Sequence, residues 1–292
     1  MASGWVDLDG DIVSADRARV SVFDHGFTRG DSIFETLRVY SGIPFMWASH
    51  FERLAQSAHY LGFPRLERFE LESRIERLIA RGDLDDGVLR VQVTSGLADL
   101  FAPLDREMQP TTVLTLTPLP ELAPVAERGA SAMVSTVRRV HRLALDPRAK
   151  TGSYLNSVLA AREARSLGFD EAILLNAEQQ VTETAFANLF AWIEGCWYTP
   201  TLESGILHGI TRSVLLETCE THEIPVVEHD LGLDDLDLAE ELFACSSVRE
   251  CVPIISVGDA PVGEGRVGPE TLGLYEHYRE RVARYVADVS RG

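Results

Sequence analysis

One side chain stands out as a reagent before any pattern is sought. Lys150 is the single lysine of the 292-residue chain, and the other 26 of its 27 basic residues are arginine. Arginine serves wherever only positive charge is wanted. It cannot replace an amine that must lose its proton and condense with a carbonyl, because a guanidinium stays protonated and is a poor nucleophile. A GC-rich or salt-adapted source would also leave few lysines, so the survival of this one is the informative part. Lys150 opens the segment Lys-Thr-Gly-Ser-Tyr-Leu-Asn-Ser-Val-Leu-Ala, residues 150–160. A second segment, Val-Thr-Glu-Thr-Ala-Phe-Ala-Asn-Leu-Phe (181–190), offers a carboxylate at Glu183. A third, Gly-Ile-Leu-His-Gly-Ile-Thr-Arg (205–212), is a glycine-rich turn running into a helix. The backbone N–H groups of Ile210 and Thr211, with the Thr211 hydroxyl and the helix dipole, make a natural phosphate seat there.

The elements that must position these groups read as an α/β chain of two domains. Strands are predicted at Trp5 to Leu8, Ile33 to Tyr40, Val88 to Thr94 and Thr112 to Thr117. Helices are predicted at Trp47 to Leu61, where Phe51, Leu54, Ala58 and Leu61 fall at helical spacing, and at Glu67 to Arg81. These make a small N-terminal α/β domain, residues 1–117. The proline-rich stretch 118–126 reads as the interdomain linker. A larger α/β domain, 127–292, follows, with strands at Ala130 to Val137, Glu171 to Leu175, Ala187 to Ile193 and Val226 to Glu228. Its helices are expected at Tyr154 to Leu167, Gly209 to Thr221, Leu236 to Leu242 and Pro269 to Val286. The expected place for a small molecule is the cleft between the two domains.

Composition narrows the functions. A formal charge of −18 disfavours nucleic acid as a partner, since phosphate binding needs a basic face. No apolar run suits a membrane span, and the first ten residues carry no signal-peptide pattern, so the expectation is a cytoplasmic protein. Cys196, Cys219, Cys245 and Cys251 contain no Cys-x-x-Cys pair and read as buried free thiols, with no metal expected in the site.

Together the three segments resemble the fold-type IV pyridoxal-phosphate enzymes, which include branched-chain aminotransferases, D-amino-acid aminotransferases and 4-amino-4-deoxychorismate lyases. Residues 150–160 are similar to that family's Schiff-base lysine followed by a Tyr/Arg-Leu-Asn helix start, which implies that Lys150 carries the cofactor. Tyr154, one turn on, is placed to reach the cofactor's phenolic oxygen. Residues 181–190 resemble the family's Glu-Gly-Ser-x-x-Asn-Leu-Phe, which implies that Glu183 pairs with the pyridine nitrogen and keeps it protonated. The glycine usual after that glutamate is Thr184 here. Residues 205–212 are similar to Gly-Ile-Leu-Pro-Gly-Ile-Thr-Arg, implying phosphate contacts from Leu207, Gly209, Ile210 and Thr211, with His208 in place of proline as a surface imidazole. By the same resemblance Arg53, in His-Phe-Glu-Arg-Leu, clamps the phosphate, and Ser246 with Ser247 closes its other side.

The N-terminal motif Phe-Thr-Arg-Gly-Asp-Ser-Ile-Phe-Glu-Thr-Leu-Arg (27–38) resembles the family's substrate-pocket segment, which points to Arg29, Phe34, Thr36 and Arg38. Arg29 stands where an aromatic residue is usual. Ser95 stands where D-amino-acid aminotransferases and the lyases commonly place an arginine. If both face one pocket, Arg29 takes over the substrate carboxylate, with Arg38, Arg138 and Arg139 as competitors. The implied reaction is transamination between an amino-acid donor, leaning to D-amino acids, and a 2-oxo acid acceptor, by a ping-pong route in a homodimer. The open alternatives are the lyase, a branched-chain L-amino-acid or (R)-amine transaminase, and a cofactor-bearing binding protein without turnover. The missing arginine at Ser95 counts against the lyase, and retention of Glu183 counts against mere binding.

Overall fold

The computed structural model describes residues 4–103, 106–122 and 129–291. Tertiary contacts divide the chain into two units: Met1–Pro120 with Ala149–Ser153 and Tyr285–Gly292, and Glu121–Arg148 with Tyr154–Arg284. The Lys150 segment and the last eight residues thus group with the first unit, where the sequence reading placed everything after 127 in the second. Of the expected linker 118–126, residues 123–126 lie outside the described residues.

The first unit holds β1 (Trp5–Leu8), β2 (Asp11–Ser14), the short helix α1 (His25–Arg29), β3 (Ser32–Tyr40), β4 (Ile43–Pro44), α2 (Trp47–Tyr60), α3 (Arg68–Gly82), β5 (Gly87–Thr94) and β6 (Thr112–Pro118). Its antiparallel sheet runs β2-β1-β6-β5-β3-β4. Alternation decides which face meets the helices, because successive strand side chains point to opposite sides. Ile33, Leu37 and Val39 of β3, Leu89, Val91 and Val93 of β5, and Leu114 and Leu116 of β6 pack with Leu54 and Ala58 of α2 and Leu71, Ile75 and Leu78 of α3. The other face of β3 and β5 therefore carries Phe34, Thr36, Arg38, Arg90 and Gln92. This parity sorts the candidate pocket residues away from the core.

The second unit holds β7 (Ala130–Val134), α4 (Leu155–Ser166), β8 (Glu171–Leu175), β9 (Val181–Thr184), β10 (Asn188–Ile193), β11 (Cys196–Thr199), α5 (Ile210–Thr221), β12 (Val226–Glu228), α6 (Leu233–Leu238), β13 (Glu241–Ser246), β14 (Glu250–Val257), β15 (Ala260–Pro261) and, up to Arg284, α7 (Pro269–Val289). The sheet order is β12-β11-β10-β13-β14-β7-β8-β9, and a further β9–β10 pairing closes six of these strands on themselves. One register row crosses four of them: Glu183 opposes Asn188, Asn188 opposes Cys245, and Cys245 opposes Cys251.

Two expectations need correction. The helix read at Leu236 to Leu242 ends at Leu238, and Leu242 lies in β13, paired with Ala191 and Ile254. Its leucine spacing fits a helix, but the sheet supplies the backbone partners. The strand from Ala130 stops at Val134, after which the chain bends at Thr136 and Val137 and Glu163 binds the Thr136 N–H. Cys196, Cys219, Cys245 and Cys251 are free thiols, and all but the partly exposed Cys196 are buried.

Candidate active site

In the first unit the Lys150 segment is stitched to β3. The Lys150 carbonyl accepts the Phe34 N–H at 3.0 Å, the Lys150 N–H donates to Ser57 Oγ at 3.0 Å, and the Gly152 N–H donates to the Ser32 carbonyl at 2.7 Å. Gly152 suits this close approach, because a Cβ there would stand 2.1 Å from Ser32 Oγ. The backbone on both sides of Lys150 is thereby fixed, and its Nζ lies 4.6 Å from the centre of the Phe34 ring. The Arg90 guanidinium lies over the same ring at 3.7 Å and reaches Thr36 Oγ1 and Gln92 Oε1. Arg90 was missed in the sequence; the alternation of β5, which puts it opposite Leu89 and Val91, was the available signal.

Arg53, the expected phosphate clamp, comes from the buried face of α2 and is itself held. Its Nε donates to Glu35 Oε1 at 2.8 Å and its Nη2 to Glu35 Oε2 at 2.6 Å, while His50 Nδ1 stands 2.7 Å from the same oxygen. Burial pushes the Glu35 carboxyl up, but the charge and hydrogen bonds of Arg53, with those of His50, outweigh it and hold the group at about 2. Burial lowers His50, against the raising pull of Glu35. Glu35 and His50 were not singled out from the sequence.

The other first-unit candidates are dispersed. Arg29 closes α1, is exposed, and directs its guanidinium to the Leu100 carbonyl. Arg38 lies over the Tyr40 ring at 4.6 Å. Ser95 is buried, and its hydroxyl has no hydrogen-bond partner among the described residues.

In the second unit Glu183 is the hub. Its Oε1 pairs with Arg139 Nη2 at 2.7 Å, and its Oε2 accepts Asn188 Nδ2 at 3.0 Å and the Leu207 N–H at 3.1 Å. Arg139 Nε also donates to the Gly205 carbonyl, and Asn188 Nδ2 to the Leu207 carbonyl. One carboxylate thus ties two of the sequence motifs together. Arg139, a competitor for the substrate carboxylate in the sequence reading, is here engaged by Glu183. Arg138 points to the Ser135 carbonyl and Gln179.

Gly209 precedes α5 and presses on this hub, since a Cβ would stand 1.9 Å from Asn188 Oδ1. Among the described residues no side chain caps α5, and Ile210 and Thr211 at its start are buried. Ser246 ends β13 and Ser247 follows in the turn; neither hydroxyl makes a hydrogen bond among the described residues. Tyr154 caps α4 and stacks on Phe186 with 5.5 Å between ring centres. Thr184, in place of glycine, spends its hydroxyl on the Ala187 carbonyl. His208 is exposed, with Nε2 3.2 Å from Ser213 Oγ.

These groups fit pyridoxal phosphate by their chemistry. A carboxylate has about four lone-pair positions, and the three donors on Glu183 leave one for a ring N–H. The uncapped start of α5 offers backbone N–H groups and the positive end of a helix dipole to a phosphate. A half-buried lysine whose backbone is fixed on both sides carries an amine of the kind such a cofactor's carbonyl condenses with.

The mixed α/β fold is that of the class IV aminotransferases, which use pyridoxal phosphate. The family model for amino-transferase class IV matches residues 32–257. The chain belongs to that family and is a pyridoxal-phosphate-dependent aminotransferase. It is 36% identical over 274 residues to a putative branched-chain-amino-acid aminotransferase of Methanocaldococcus jannaschii, covering 94% of each. It is 32% identical over 279 residues to a D-alanine aminotransferase of Staphylococcus aureus, covering 94% of this chain and 96% of the other. Among solved structures, the branched-chain aminotransferase of the archaeon Thermoproteus uzoniensis, crystallised with norvaline, aligns with TM-score 0.89 at 32% identity, over 96% of this chain and 95% of that one.

Proposed function

We propose that the chain transaminates α-amino acids, with D-amino acids as donors and 2-oxo acids as acceptors, using Lys150 as the cofactor-bearing amine. The observation that carries the amino-acid reading is the sharing of the Phe34 ring by the Lys150 amine and the Arg90 guanidinium. An α-amino acid bears its reacting carbon and its carboxylate on neighbouring atoms, so an amine and a carboxylate anchor against one ring match its size. Arg90 thereby joins Arg29 as a candidate for the carboxylate, and Phe34, Thr36, Arg38 and Ser95 remain the proposed wall of the pocket.

Pyridoxal phosphate, when bound, supplies a carbonyl that takes up the amino group and a ring that accepts the electrons left behind. Lys150 Nζ would take the α-proton of the substrate and deliver it to the carbon that had carried the cofactor's carbonyl. Glu183, fixed by Arg139, Asn188 and the Leu207 N–H, offers its remaining lone pair to the ring N–H. Ile210, Thr211, Leu207, Gly209, Arg53, Ser246 and Ser247 bind the phosphate, and Tyr154 lies beside the phenolic oxygen.

Support for D-amino acids comes from the short spacing after Lys150, the Gly-Asp start of the N-terminal motif, and the D-alanine aminotransferase likeness. A second reading, branched-chain L-amino acids, is favoured by the 36% identical relative. Single-turnover spectra with each enantiomer of alanine, leucine and valine test this. Bleaching of the cofactor band by D-forms alone supports the first reading, and bleaching by L-leucine alone replaces it with the second.

We also propose a cytoplasmic homodimer. The described residues contain no helix long and apolar enough to cross a membrane. In the first unit Val22, Phe23, Phe27, Leu97, Leu100 and Phe101 are exposed side by side, joined by the Asp24–Leu97 bridge and the Ala98 to Phe23 hydrogen bond. A patch of that kind commonly marks a protein contact, and a second copy is the occupant this reading assigns.

A further inference from the structure

Outside the candidate site, the second unit brings together a group of metal-ligating side chains that no sequence spacing announced. His222 is the C-terminal cap residue of α5, while His277 and Glu280 lie three residues apart on α7, so both face the same way about one turn apart. The two imidazoles stack with 3.8 Å between centres at an interplanar angle of 23°. Glu280 Oε2 stands 3.7 Å from His277 Nδ1. One ligand atom from each of the three residues falls within 4.8 Å of the others. His277 Nδ1 is shielded from solvent yet has no hydrogen-bond partner among the described residues.

We propose that His222, His277 and Glu280 bind one divalent transition ion of the zinc class and so cross-link the end of α5 to α7. Two imidazoles and a carboxylate are borderline donors suited to Zn²⁺, Ni²⁺ or Cu²⁺, whereas Mg²⁺ and Ca²⁺ require oxygen ligands throughout. The position favours a cation, because the α5 dipole presents its negative end at His222. It also gives a use to the His277 ring nitrogen that no described residue hydrogen-bonds.

The neighbouring charges do not oppose an ion there. Arg281 reaches across to Glu217 of α5 at 3.9 Å, and Arg279 is engaged by Glu250. Glu220 of α5, Glu276 of α7 and Glu223 just beyond the α5 cap add negative charge. Coordination demands some rearrangement. Zinc–nitrogen bonds of about 2.0–2.1 Å place tetrahedral ligand atoms roughly 3.3 Å apart, so atoms now within 4.8 Å must close in and the stacked rings must turn about their side-chain bonds. Both α7 side chains have room to do so, with exposures of 36% for His277 and 63% for Glu280. Three protein ligands leave a position for water, and the ion is exchangeable.

The test is calorimetric titration of chelator-stripped holoenzyme with zinc chloride, beside His277→Ala, His222→Ala and Cys196→Ser. The expected result is one ion per chain with a dissociation constant of roughly 1–100 µM. Each histidine variant weakens it at least about tenfold, by the loss of one of three ligands, and Cys196→Ser leaves it unchanged. Zinc is also expected to raise the melting temperature of the wild type and not of His277→Ala, with full cofactor absorbance in both. Binding that is unweakened in both histidine variants, or that vanishes with Cys196→Ser, overturns the proposal, as does the absence of stoichiometric binding.

Discussion

Arg53 lays one edge of its guanidinium along both oxygens of Glu35, at 2.8 and 2.6 Å, with Glu35 fully buried. The arginine expected to meet a phosphate is thus oriented by a partner on the neighbouring strand before any ligand arrives. A planar fork held along one edge has a fixed direction for the other, which is where a phosphate contact has to come from.

Replacing Glu35 with glutamine removes the charge that pairs with Arg53 and leaves a buried cation uncompensated. The variant is expected to lose about 3–5 kcal/mol of unfolding free energy at pH 7, and to bind pyridoxal phosphate more weakly. Urea denaturation and cofactor titration by fluorescence check the two effects.

The same pair sets an acid limit. The Glu35 carboxyl is held at about 2, below its ordinary 4.5. Its contribution is therefore complete above pH 4.5 and is lost as pH falls toward 2, worth roughly 3 kcal/mol across that window. His50, lowered by burial, adds loss of the same sign beginning below its ordinary 6.5. The stability gap between wild type and Glu35→Gln is expected to narrow as pH falls from 4.5 to 2; a gap constant with pH contradicts this assignment.

Arg90→Gln removes the proposed carboxylate anchor while leaving Lys150 in place. KM for α-amino acids is expected to rise about 10–100-fold, the worth of a charge-assisted hydrogen bond, with little change for amines that lack a carboxylate. Steady-state kinetics on a matched amino acid and amine check this, and an equal loss on both contradicts it. Arg29→Ala is expected to cost less, because Arg29 is exposed and turned to the Leu100 carbonyl.

Glu183→Gln is expected to lower kcat by about 100-fold or more, if its charge meets the cofactor ring as proposed, while protein stability changes less than in Glu35→Gln. Gly209→Ala acts by shape. The added methyl meets Asn188 Oδ1, displaces the Glu183 partner, and is expected to weaken both cofactor affinity and kcat. Cofactor titration and steady-state rates on the two variants check these outcomes.

What was legible in the sequence divides along a physical line. Lys150, Glu183 and the turn before α5 could be proposed as a site because their chemistry is tied to residue type and local spacing. β3, α2, α3 and β5 could be read because their apolar faces follow one period. Arg139 with Glu183, and Glu35 with Arg53, could not, since each pair joins residues from different elements and nothing local marks it. Arg90 was hidden for a related reason: alternation on β5 gives its face but not the ring it lies on. The Leu236 to Leu242 error came from leucines that suit a helix and a strand equally, decided only by β10 and β14 beside them.

The central claim is that Lys150 bears the cofactor, and its uniqueness in the chain makes the test direct. Holoenzyme is reduced with borohydride, digested, and searched by mass spectrometry for the phosphopyridoxyl increment. The account predicts that increment on the peptide containing Lys150, near one per chain, and no covalent cofactor in Lys150→Ala. An increment confined to the N-terminal amine, or a Lys150→Ala protein that still turns over amino acids at the wild-type rate, would contradict it.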